Sequence, residues 1–468
     1  MTALWTAEDV AAATRGVTAG GWVASGISID SRTLAPGDLF VALTGPNQDG
    51  HAYVAQAFDC GAAAAVVSRL PEGAGDGSAL VLVADTQVAL EGLGRAGRAR
   101  TAARIAGVTG SVGKTGTKEA LRHVLGRQAP IYASAASHNN HWGVPLSLAR
   151  LPQGVAFGVL EMGMNHAGEI SALTRLVRPH VALITTVAPA HLEFFSSVAA
   201  IADAKCEIFE GIEAQGVAII NRDNEFYQRM RLHAERCGVG RIVTFGRDAA
   251  ADWRLAEDHL RPEFSEVVAV RHGRRFAYRL GTPGEHVVLN SLAVLAVIEA
   301  LGADVAQAAT SLGDLRAAPG RGERRPIAVA GGYALLVDES YNANPASMRA
   351  ALAVLGQLPG RRLAVLGDML ELGETSGDLH AGLAEAVERA SVDLVFTCGP
   401  GMARLRQALP ARCRGAHADD SAALAEMVAA AVRPGDAILV KGSLGSAMAL
   451  VVKALNSLGT PAAARAAC

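Results

Sequence analysis

The residues Thr109-Gly110-Ser111-Val112-Gly113-Lys114-Thr115 have the types and spacing of a phosphate cradle. They follow the apolar run RIAGV and lead into a helical pattern that includes KEALRHVL. Glycines at 110 and 113 let the backbone approach phosphate oxygens, and main-chain amides at a helix N-terminus supply positive potential. Lys114 has the reach for β- and γ-phosphates, and the Thr115 hydroxyl is a Mg²⁺ donor. The longer pattern G-x-x-x-x-G-K-S/T would put glycine at 108, where Val108 stands, so this is a shorter T-G-x-x-G-K-T variant. A plain glycine-rich turn is the bland alternative; strand, lysine and threonine in register favour a bound nucleotide. The loop alone does not choose between motor, switch, kinase and ligase.

Other polar groups fall where neighbouring strands would end. The run AFGVLEMG carries Glu161 at its carboxyl end, one crossover from the phosphate loop, a natural place for a Mg²⁺ ligand. VALITTV leads to His191, which fits either a ligand at the same sheet edge or an ordinary structural histidine. Lys205, in IADAKCEIFEGI, reads from composition as a solvated helix lysine. Asn139 and Asn140, in SHNNHWGVP, have the chemistry to bind phosphate or carboxylate and equally the chemistry of a turn.

These groups need parallel sheets to bring them together. Short, nearly continuous apolar runs recur from 101 to 315: RIAGVTG, AFGVLEMG, VALITTVA, VAIINRD and RIVTFG. Such runs suit parallel strands buried on both faces. FSEVVAV and RRFAYRL flank His272-Gly273 as a hairpin, and HVVLNSLAVLAVIEALG reads as a helix ending near Gly302. From 316 to 468 the β-then-α pattern repeats through ALLVD, RLAVLG, LVFTCG and AILVKG, which predicts a Rossmann-like sheet. Residues 1–100 hold shorter strands and predict a small α/β module. The stretch 316–326, RAAPGRGERRP, reads as a hinge. The expected fold is therefore α/β in three domains: 1–100, a central P-loop parallel-sheet domain at 101–315, and a C-terminal domain at 316–468.

Composition agrees with that division. At about 150 residues per domain, 468 residues make roughly three. Lys plus Arg number 43 against 45 Asp plus Glu, a net charge of −2, which excludes a globally basic nucleic-acid or anionic-membrane binder. Six cysteines include no CxxC pair and no zinc-finger spacing, which predicts free thiols in a reducing compartment. Glu8 and Asp9 stand where a signal peptide needs basic residues. The apolar run Leu292 to Ile298 stops at Glu299, short of the roughly 18 residues of a membrane span. A cytoplasmic chain without a membrane anchor is expected.

Taken together, the motifs resemble those of the Mur ligases, ATP-dependent amide ligases of bacterial cell-wall synthesis. The resemblance runs through IDSRTLAPGDLFVAL, GPNQDGH, TGSVGKTGTKE, NNHWGVPLSL, LEMGMNHAGEI, AHLEFF, AKCEIFEGI, GEHVVLN, PGRGER, VDESYNANPASM, LGDMLELGE and LVKGS, in order and over nearly the whole chain. Within the family, SYNANPASM and GDMLELG imply UDP-N-acetylmuramoyl-tripeptide and D-alanyl-D-alanine as the substrates, joined through an acyl phosphate. The third stem residue, meso-diaminopimelate or L-Lys, has no motif here.

The resemblance also implies roles. Thr109 to Thr115, Asn290, Arg321 and Asp338 would serve ATP. Thr115, Glu161 and His191 would hold Mg²⁺, and Lys205 matches the lysine that carries a carbamate. Lys114, Glu161, His191 and Lys205 would form the catalytic set. Asp30, Ser31 and Arg32 fall at the UDP-sugar; the 1–100 domain would bind it. Asn139 or Asn140 would face the γ-phosphate and the substrate carboxylate. Tyr341, Asn342 and Asn344 would shape the dipeptide end of the cleft. Asn344 before Pro345 has an equal explanation as a helix N-cap. A monomer is expected. Two departures stand out: Asp338-Glu339 where the family often has Asp-Asp, and Leu444 where it often has Arg after KGS. No contact made by that Arg carries over, which leaves the roles of Lys441 and Ser443 open. Another amide ligase of this architecture, such as a folylpolyglutamate synthase, is disfavoured by IDSR, NNHWGVP and SYNANP. A nucleotide-binding regulator without chemistry is disfavoured by the intact catalytic set.

Overall fold

Alternation along the short apolar runs builds two cores for each large sheet. The computed structural model describes residues 3–71, 79–135, 138–190 and 192–459. In the strand Val181–Ile184, Val181 and Leu183 enter one core while Ala182 and Ile184 enter the other. In Arg362–Gly367, Leu363 and Val365 separate from Ala364 and Leu366 in the same way. Both faces are covered, so the polar positions of a half-exposed strand are missing from these sequences.

The first unit carries a five-stranded sheet in the order Val17–Thr18, Leu80–Leu82, Ala64–Val67, Asp38–Val41, Gly26–Ser28, parallel except for its first strand. Helix Thr86–Ala99 packs against helix Gly143–Ala149 of the central unit. The Trp5 indole donates to the Ala149 carbonyl at 3.0 Å across the same seam.

The central sheet has nine strands. Their order is Ile131–Ala133, Phe157–Glu161, Arg104–Thr109, Val181–Ile184, Val217–Asn221, Arg241–Gly246, Trp253–Leu260, Ser265–Arg271 and Arg274–Leu280. The first seven are parallel and the last two form the expected hairpin, with His272 and Gly273 at φ 50° and 75°. Strands Ile131–Ala133 and Trp253–Leu260 escaped the sequence reading, the first for its brevity and the second for its many charges. The chain crosses from Arg104–Thr109 to opposite sides, which opens a crevice beyond that strand's carboxyl end. Helix Glu285–Ala300 is buried continuously from Ser291 to Ile298. Its apolar circumference marks a core helix. Among the described residues, no helix is long and apolar enough to cross a membrane.

The last sheet runs Glu323–Val329, Gly332–Glu339, Ala437–Lys441, Arg362–Gly367, Leu394–Cys398, Arg414–Ala418. All are parallel except the first. That strand corrects the hinge reading of 316–326: from Glu323 onward the segment is an edge strand. Its prolines and arginines hid it, yet an edge strand tolerates Pro326.

Candidate active site

The phosphate loop begins one residue later than the longer pattern requires. Val108 is fully buried in the strand, opposite Glu161. Gly110 follows at φ +147°, and a Cβ there would lie 2.0 Å from Thr185 Oγ1. Gly113, at φ +87°, caps helix Lys114–Leu125, and a Cβ there would lie 2.5 Å from Asn290 Nδ2. Both positions need glycine. The Lys114 amine donates to the Gly110 carbonyl at 2.8 Å, folding back over the loop. Burial pulls its pKa down; Glu161 opposes that shift and Arg321 adds to it.

Glu161 ends its strand 1% exposed. Thr115 Oγ1 donates to one carboxylate oxygen at 2.7 Å, and Asn139 Nδ2 donates to the other at 2.8 Å. Asn139 therefore joins the site. Asn140 does not: its Oδ1 accepts from Trp142 N and Gly143 N at 3.2 and 2.9 Å and starts the next helix. Asn140 is thus a turn residue, while Asn139 binds a carboxylate of the protein itself, Glu161.

Lys205 corrects the solvated-helix reading. It closes helix Val198–Cys206 and is 2% exposed. Among the described residues its amine makes no hydrogen bond or ion pair. Burial pushes its pKa well down, and the nearby Lys114 charge pushes the same way. His191 lies outside the described residues.

A cavity of about 450 Å³ joins the phosphate loop, helix Glu285–Ala300 and the strand-end loops of the C-terminal sheet. Asn290, Arg321, Tyr341, Asn342 and Asn344 all line it. The Arg321 guanidinium stacks 4.0 Å from the Tyr341 ring centroid. Asn344 is the helix N-cap, and its second polar atom faces the phosphate loop. Its Oδ1 caps helix Pro345–Gly356 by accepting from Ser347 N at 2.9 Å, while its Nδ2 reaches the Ser111 carbonyl at 3.4 Å.

Asp338 does not line this cavity. Its carboxylate accepts from Ser340 N and Oγ at 3.1 and 2.7 Å and lies 3.7 Å from Arg325. Glu339 takes the lining position instead. Lys441, 2% exposed, bridges Glu339 Oε2 and the Asn342 carbonyl at 3.0 and 2.9 Å. Glu339 and Lys441 are register partners on adjacent parallel strands, so this ion pair ties two strand ends at the cavity wall. Leu444, 65% exposed, sits on the rim.

Asp30, Ser31 and Arg32 lie apart, beyond the strand Gly26–Ser28 of the first sheet. Arg32 pairs with Asp30 at 2.7 Å, and Ser31 Oγ donates to Gln56 at 3.0 Å. Sequence reasoning passed over His286, Arg316 and Glu371, all of which line the cavity. His286 had a readable signal: it precedes Asn290 by four residues, hence on the same helix face.

A phosphate loop facing a second parallel sheet across one cavity defines a two-sided nucleotide cleft. Comparison with known proteins places that cleft in a family. The Mur ligase middle domain matches residues 108–298, the Mur ligase glutamate ligase domain 320–444, and the Mur ligase family catalytic domain 23–94. The chain belongs to the Mur ligase family. It is 36% identical over 442 residues to the UDP-N-acetylmuramoyl-tripeptide–D-alanyl-D-alanine ligase of Escherichia coli K12, covering 93% of this chain and 94% of that one. A crystal structure of MurF from Acinetobacter baumannii superposes with a TM-score of 0.86 at 32% identity, covering 97% and 99% of the two chains. The MurF ligase of Thermotoga maritima, solved in complex with ADP, gives 0.77 at 28% identity over 92% and 97%.

Proposed function

We propose that this chain joins D-alanyl-D-alanine to UDP-N-acetylmuramoyl-tripeptide at the expense of ATP, giving UDP-N-acetylmuramoyl-pentapeptide, ADP and phosphate. The observation that carries this reading is the single cavity lined by both Lys114 of the phosphate loop and Tyr341 to Asn344 of the C-terminal unit. It lets a phosphoryl donor and an acceptor amine meet over one carboxylate. The ADP complex of the Thermotoga maritima relative supports ATP as the nucleotide.

A carboxylate is a poor acyl donor because its oxygen is a poor leaving group. In the proposed reaction the terminal carboxylate of the tripeptide attacks the γ-phosphorus, and ADP leaves. The dipeptide amine then attacks the acyl carbon, loses a proton, and the tetrahedral intermediate expels phosphate. Lys114 and Arg321 offset the charge of two anionic reactants brought together. Asn139 holds Glu161, and Asn344 ties the acceptor side to the Ser111 carbonyl, so the reactants meet in a fixed geometry. Asn290, beside Gly113, and His286, four residues earlier on the same helix, line the same cavity.

Glu161 and Thr115 suit Mg²⁺, a hard cation that takes oxygen ligands from one or two carboxylates and from substrate phosphates. Bound there, it would neutralise charge developing on the phosphates. The residues implied by resemblance, with His191 as a further ligand, complete the proposed set.

Lys205 is proposed to carry a carbamate. An ordinary lysine, with a pKa of about 10.4, is a cation that repels both Mg²⁺ and Lys114. The buried Lys205 amine is held towards its neutral form, which adds CO₂ and releases a proton to become an anion. Asp30, Ser31 and Arg32 are proposed to receive the UDP-sugar, and the chain is proposed to act as a monomer.

Phosphate release measured with UDP-N-acetylmuramoyl-tripeptide and ATP, with D-alanyl-D-alanine added or omitted, tests the reading. Release that depends on the dipeptide is expected. ¹⁸O placed in the tripeptide carboxylate should appear in the phosphate; ligation without that transfer would rule out the acyl phosphate.

A further inference from the structure

Two side chains from outside the segment 368–373 fix its backbone where it reaches the cleft. His380 is 1% exposed and does not line the cavity. Its Nδ1 lies 2.7 Å from the Ser376 carbonyl, which can only accept, so Nδ1 carries the proton. Nε2 is then free to accept from Met369 N, at 3.0 Å. The next amide, Leu370 N, donates to Ser443 Oγ at 2.9 Å. Beyond these anchors Leu370, Glu371 and Leu372 line the cavity, and the Glu371 carbonyl accepts from Glu193 N of the central unit at 3.2 Å.

Glu371 sits at φ 62°, a conformation that a residue with a side chain keeps only when its surroundings hold it there. Asp368, 3.9 Å from His380 Nε2, is committed to the amides of Gly401 and Met402 at 3.1 and 2.7 Å. His380 therefore spends both nitrogens on backbone and neither on an ion pair.

We infer that His380 is a positioning residue for acceptor capture: through Met369 N it fixes the loop that carries Leu370 to Leu372 onto the cleft wall facing Glu193. The inference rests on the ligase reading above. The second anchor, Ser443, also donates from its Oγ to the Ala343 carbonyl at 3.3 Å, which ties this loop to the segment Tyr341 to Asn344 proposed for the dipeptide; the groups proposed for the phosphates, Gly110 to Thr115 and Arg321, lie outside both segments. Removing the anchor thus acts on the dipeptide before it acts on ATP.

Steady-state kinetics of full-length wild type, His380→Ala and His380→Gln test this, with Tm measured for each. In His380→Ala the KM for D-alanyl-D-alanine should rise about tenfold, the worth of one lost buried hydrogen bond. The KM for ATP should stay within about twofold, and His380→Gln, which restores an acceptor, should recover part of the loss. Equal changes in both KM values, or a change in kcat alone, would overturn the inference. Should His380→Ala fail to fold, Ser443→Ala removes the second anchor and must show the same split. A wild type that ligates nothing would sink the ligase reading itself, an outcome distinct from ligation with an unaltered dipeptide KM.

Discussion

Burial lowers the pKa of both Lys114 and Lys205, and the proposed function gives the two residues opposite charges. Lys114 sits among groups that a triphosphate would neutralise, so Lys114→Ala should lower kcat at least about 100-fold. A phosphate-release assay at saturating substrates checks this. Lys205 is buried beside that cation, and its depressed pKa means that unfolding takes up a proton. The unmodified chain is thus least stable below the depressed value and gains stability as pH rises towards about 10.4. Lys205→Met should remove this dependence and raise Tm while ligation is lost. Lys205→Ala should lose most activity and regain some with added short carboxylates, which could occupy the position of the carbamate. Failure of both the Tm gain and the rescue would remove the case for a modified lysine. The sequence offered no sign of this burial, because a lysine's exposure depends on what packs around its helix.

At the scale of elements, helix ends carry the site. Asn344 caps helix Pro345–Gly356 with its oxygen and reaches the phosphate loop with its nitrogen. Asn344→Asp keeps the cap and loses the donor, so it should retain stability while catalysis falls. Asn344→Ala should lose both, at a cost of about 1 kcal/mol from the cap. Denaturation midpoints measured beside kcat separate the two roles. On helix Glu285–Ala300, burial lowers the pKa of His286; Glu339 opposes that shift and Lys441 reinforces it. Such a histidine costs nothing while neutral, and stability falls as pH drops below its unfolded value of about 6.5. Tm followed from about pH 8 to 5 should decline less steeply in His286→Gln than in wild type.

At the scale of the whole molecule, the cleft exists only because two sheets face each other. Lys114 and Arg321 lie close enough for the Arg321 charge to lower the Lys114 pKa, a repulsion that Glu161 opposes. Nucleotide phosphates would relieve that repulsion and draw the C-terminal unit inward through the segment before Glu323. Small-angle scattering should therefore show compaction when an ATP analogue and the UDP-substrate are added. A profile unchanged by both would count against closure.

Local pattern was enough for the phosphate loop, Glu161 at a strand end, most parallel strands and the cap at Asn344, because each depends on neighbours in sequence and on apolar alternation. Motif order was enough for the family. Tertiary structure alone decided that Lys205 is buried, that Asn139 bonds to Glu161 while Asn140 holds the turn before a helix, and that Glu339 takes the lining position in place of Asp338. It also decided that a glycine-rich linker ends in an edge strand at Glu323. The reason is physical: burial, pKa and hydrogen-bond partner are set by atoms that lie far apart along the chain and meet only when the sheets pack.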